Sequence, residues 1–67
     1  MTTHLTALQT AAAFVAADEA WSAEVARALP GVFNARYQPT SKGEEGTKLR
    51  ELYEVRQAAY RAWYATR

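Results

Sequence analysis

The 67-residue chain has no cysteine, one histidine, two prolines and three glycines. Lack of cysteine rules out disulfides and thiolate metal sites, and His4 has no second imidazole with which to share an ion, so no metal or cofactor is expected. No apolar run approaches the ~20 residues that span a bilayer, and the start lacks a basic segment leading into an apolar one. A cytoplasmic protein with no membrane partner is expected. Neither a nucleophile paired with a base nor a metal-ligand set is visible, which argues against an enzyme. So short a domain buries a small share of its surface, and with disulfides and metals removed, oligomerisation or close helix packing must reinforce it. A homodimer is the expected form.

Alanine and two long amphipathic stretches are what the chain does have. Alanines from Ala7 to Ala28 give the first stretch high helix propensity. A hydroxyl at Thr3 or Thr6 can cap it, Thr6 with Gln9 forming a capping box, and Pro30 and Gly31 stop it, so a helix is expected over about 4–29. Gly46 and Thr47 signal a second helix over about 48–66. The connection, 30–47, exceeds the 2–8 residues usual in helix hairpins. Its first half offers Val32, Phe33 and Tyr37 as apolar anchors that fold back onto the helices, through a short helical turn; a strand pair is a weaker possibility. Its second half, Gln38 to Gly46, is polar and rich in turn formers. The expected fold is one all-α domain, an antiparallel helical hairpin with a long, partly packed connection, dimerising into a four-helix arrangement.

Asp18 and Arg56 lie at the centres of the apolar arcs of these helices, where charge is least expected. At 100° per residue, Trp21, Phe14, Val25, Leu29, Val15 and Leu8 flank Asp18, while Leu52, Trp63, Leu49, Tyr60 and Tyr53 flank Arg56. The leading expectation is a buried structural ion pair between facing helices, completed by tyrosine hydroxyls, because unpaired buried charge costs several kcal/mol. A partly exposed recognition charge and snorkelling to solvent are the alternatives. Charge distribution favours antiparallel docking: the first 29 residues carry Arg27 against Asp18, Glu19 and Glu24, net −2, whereas Lys48 to Arg67 carries five cations against Glu51 and Glu54, net +3.

The apolar arc of the second helix, from Ala62 and Val55 round to Tyr64, covers roughly 200°, twice what one partner helix covers. Its tyrosine-rich flank must meet the connection or another chain. Candidate partner-binding residues are therefore Tyr53, Tyr60, Arg61 and Tyr64, with Arg36 and Tyr37 presented from the connection; tyrosine and arginine are the types enriched at binding hot spots. Arg50, Arg61 and Arg67 interleaved with tyrosines also suit nucleic-acid phosphates, although Glu51 and Glu54 interrupt them. Gly43-Glu44-Glu45-Gly46-Thr47-Lys48 lacks the order and the preceding strand of a phosphate-binding loop.

In Asn34-Ala35-Arg36-Tyr37-Gln38-Pro39, Gly43-Glu44-Glu45-Gly46-Thr47-Lys48-Leu49-Arg50-Glu51-Leu52-Tyr53 and Ala58-Ala59-Tyr60-Arg61-Ala62-Trp63, the chain resembles small accessory proteins of Mu-like temperate bacteriophages and prophages. The resemblance covers residues 14–64 and carries no catalytic motif. It implies a product that binds and disables a host bacterial protein.

Overall fold

The computed structural model describes residues 6–67. Helix α1 spans Ala7–Ala28 and helix α2 spans Lys48–Thr66, with 3-10 turns at Ala35–Tyr37 and Pro39–Lys42 between them. The described residues contain no strand. The first helix starts later than the expected residue 4 because Thr6 closes its N-terminus. Its hydroxyl accepts from the Gln9 amide at 3.1 Å, and its own amide donates to Gln9 Oε1 at 2.8 Å. Both early donors are thereby satisfied, as the capping box requires. Thr3 and His4 lie outside the described residues. Helix α2 begins as expected, with Thr47 Oγ1 accepting from the Arg50 amide at 3.1 Å.

The helices pack antiparallel. Thr10 and Thr66 share a hydroxyl–hydroxyl hydrogen bond of 2.5 Å at the open end, Phe14 meets Trp63 next to it, and Trp21 meets Tyr53 nearer the connection. The apolar core is small and sits toward the connection: Trp21, Val25 and Leu49 are its buried members, edged by Leu29, Ala35, Leu52 and Tyr53. Principal extents of 46 × 23 × 15 Å describe a single layer two helices wide, since one helix with its side chains is about 10–12 Å across.

The connection packs differently from expectation. Val32, Phe33 and Tyr37 do not fold back; Phe33 is 85% and Tyr37 77% exposed. The anchor is Ser41, in the half expected to be solvated polar turn. Its carbonyl accepts from the Trp21 indole at 3.0 Å, and its hydroxyl is 2.7 Å from the Gln38 carbonyl and 3.1 Å from that of Arg36. A buried indole N–H needs an acceptor, and a compact 3-10 turn brings a backbone carbonyl within reach where a bulky apolar side chain would not. Gly43 closes this turn at φ +77°, where a Cβ would lie 2.6 Å from the Arg50 amide nitrogen, so the connection meets the start of α2 at a distance only glycine allows.

Candidate functional site at the loop end of the hairpin

Asp18 projects from the inner face of α1 into a cluster of two arginines. Arg56 Nε donates to Asp18 Oδ1 at 2.7 Å, which establishes the cross-helix pair. The expected tyrosine hydroxyls do not complete it. Arg36, reaching in from the first 3-10 turn, donates to the same oxygen at 2.8 Å and to Ser22 Oγ at 2.8 Å. The pair is also half-buried rather than buried, with the Asp18 and Arg56 side chains 24% and 21% exposed. Both guanidinium groups lie against the Trp21 ring, at 5.2 Å for Arg36 and 5.0 Å for Arg56, where the indole face attracts cations. Partial burial pushes the Asp18 pKa up, but hydrogen bonds and charge from Arg56 and Arg36 outweigh it and hold the carboxyl below its ordinary value.

Around this cluster the first turn, the second turn and α2 enclose an open cleft of about 500 Å³, lined by Arg36, Tyr37, Lys42, Tyr53, Arg56 and Gln57 among others. Gln57 Oε1 accepts from Arg56 Nη1 at 2.9 Å and holds that guanidinium at the cleft wall. A second hollow of about 490 Å³ lies on the other side of the second turn, where Glu24 and Glu44 balance Arg27 and Lys48. Arg27 hydrogen-bonds Glu24 there and holds that carboxyl below its ordinary value. Only the first cleft carries uncompensated positive charge.

Toward the open end the same face continues beyond the reach of the connection. Residues seven apart share a helix face, so Ser22 leads to Val15 and Leu8 on α1, while Tyr53 leads to Tyr60 and Gln57 to Tyr64 on α2. Leu8 is 81% and Tyr64 54% exposed. Phe14 and Trp63 stack at 6.0 Å with planes 11° apart, Tyr60 meets Phe14 edge-on and Trp63 at a tilt, and Arg67 lies 4.2 Å over the Tyr64 ring. Arg61 is exposed beside this strip.

Of the residues expected to bind a partner, Arg36, Tyr37 and Tyr53 converge at the cleft, and Tyr60 and Tyr64 form the open-end strip. Arg36 has a structural bond to Asp18 that the sequence did not suggest. Ser22, Lys42, Gln57 and Ser41 were missed. Ser22 follows Asp18 by one helical turn and was legible in principle; Ser41 was not, because its role depends on how the connection closes. The chain matches no family model, no curated protein and no solved structure. No helix of the described residues is long and apolar enough to cross a membrane.

Proposed function

We propose that this is a small non-enzymatic protein-binding module that acts on a host bacterial protein, as a phage-encoded modulator or inhibitor in the bacterial cytoplasm. The observation that carries the reading is the extent of exposed aromatic surface: Phe33, Tyr37, Tyr60 and Tyr64 are all exposed, against three buried apolar side chains among the described residues. Surfaces of this kind mark interaction sites, and aromatic and arginine side chains dominate their energetics. Two copies pair through the open-end strip of Leu8, Val15, Tyr60 and Tyr64, giving the four-helix homodimer. Partner contact falls to Arg36, Tyr37 and Tyr53 at the loop end and to whatever part of Tyr60, Arg61 and Tyr64 the dimer leaves open.

One observation favours a second reading. Arg36, Lys42, Arg56 and Arg67 stand among the tyrosines of this face, an arrangement that suits nucleic acid. Light scattering at micromolar concentration and affinity capture separate the possibilities. The proposal expects a particle of twice the 7.5 kDa chain mass, and one host polypeptide retained at moderate salt by the wild type but not by Tyr37→Ala. A 7.5 kDa particle would sink the dimer. Retained nucleic acid whose affinity collapses with salt would transfer the function to the second reading.

A further inference from the structure

From the loop-end cleft we infer a carboxylate-binding site that takes an Asp or Glu side chain from an acidic segment of the protein partner. This rests on the protein-binding reading and names the chemistry of its contact. Three cations line or wall the cleft, Arg36, Arg56 and Lys42, and the one carboxylate among them is Asp18. Its charge is already divided between two guanidinium groups, so the site carries net positive charge with Lys42 unpaired among the described residues.

Donors are also left over. Arg36 uses Nη1 and Nη2, and Arg56 uses Nε and Nη1. Arg36 Nε and Arg56 Nη2 therefore have no partner within the described residues. Among the described residues no buried side-chain nitrogen or oxygen lacks a hydrogen bond, so neither of these remaining donors is sealed from solvent. Two such guanidinium groups, pinned against one indole and one carboxylate, are held in place before any ligand arrives. That removes part of the ordering cost of binding and leaves planar N–H edges suited to a carboxylate. Tyr37 and Tyr53 form the flanking walls, where an apolar neighbour of the acidic residue would lie.

A single acidic side chain suits the cleft better than a nucleic-acid strand. Asp18 remains within 2.7–2.8 Å of both guanidinium groups and repels multiply charged ligands. A strand would also need a continuing basic track, yet between Arg56 and Arg67 the face presents Tyr60 and Tyr64, and Arg67 is set against the Tyr64 ring.

The chain has two tryptophans, and they report separately. Trp21 Nε1–H sits beneath the arginines and Trp63 at the open end, so nitrogen-15 spectra of the full chain give one indole signal inside the site and one outside it. Titration with acetylated tetraglutamate amide is expected to shift the Trp21 indole saturably while Trp63 stays still, and tetraglutamine amide to shift neither. Lys42→Ala, an exposed position whose loss leaves the fold intact, is expected to weaken the effect about three- to tenfold. Equal movement of both indoles, no weakening in Lys42→Ala, or tighter Trp21-specific binding of oligothymidylate would each overturn the assignment. If tetraglutamate fails but the wild type still captures one polypeptide from lysate, the carboxylate site alone is wrong. If tetraglutamate binds at Trp21 and no polypeptide is captured, the wider proposal is wrong.

Discussion

The two ends of the hairpin are built from similar side chains and hold together in different ways. At the loop end Trp21 is buried, its N–H is bonded to Ser41, and two arginines share Asp18 over its ring. At the open end Trp63 stacks on Phe14 and meets Tyr60 at a tilt, with Tyr64 beyond it, and among the described residues the connection does not reach them. The difference is the connection. A two-helix layer leaves a face of each helix bare, and the nineteen residues between the helices cover that face only at the loop end, through Arg36 and Ser41. Stability is therefore concentrated at one end, and the surface available for association lies mainly toward the other.

The sharpest way to break this contrast is to truncate each tryptophan. Trp21→Ala removes the largest buried side chain and orphans the packing of Ser41, and is expected to cost about 3–5 kcal/mol, leaving the chain largely unfolded by circular dichroism. Trp63→Ala, half-buried and with an N–H that has no partner among the described residues, is expected to cost about 1–2 kcal/mol in the same denaturant titration. Equal losses would show that the ends are not distinct.

Gly43→Ala tests the close approach that holds the connection down. Its positive φ and the 2.6 Å distance from a Cβ to the Arg50 amide nitrogen involve backbone on both sides. A cost of about 2–3 kcal/mol is expected, against nearly none for alanine at an exposed α1 position such as Glu19→Ala.

Asp18 should matter less than a fully buried charge would. Asp18→Ala is expected to cost about 1–2 kcal/mol, between the values for exposed and buried pairs, and more than Arg56→Ala, which leaves Asp18 bonded to Arg36. The shared partner also makes Arg36→Ala and Arg56→Ala non-additive. Because the folded pKa of Asp18 lies below its ordinary 3.8, its contribution is complete above that value and is lost as pH falls through the lowered folded one. Asp18→Asn should flatten stability over that acidic range; an unchanged acid profile would mean that Asp18 does not drive it.

The sequence by itself determined the two helices. Thr6 with Gln9, Thr47, and Pro30 with Gly31 are local signals, satisfied by atoms within a few residues, and the observed boundaries follow them. It also pointed first to a meeting of Asp18 and Arg56, since each stands at the centre of an apolar arc, and the packed helices bring them together. Tertiary structure alone decided what covers that pair. Hydropathy pointed to Phe33 and Tyr37 as anchors, yet the indole N–H of Trp21 required an acceptor and the lone Asp18 accepted a second cation. Ser41 and Arg36 meet those demands across 20 and 18 residues of chain. Demands of this kind exist only once the helices have packed, so no local pattern announces them. They set the apolar side chains of the connection free at the surface.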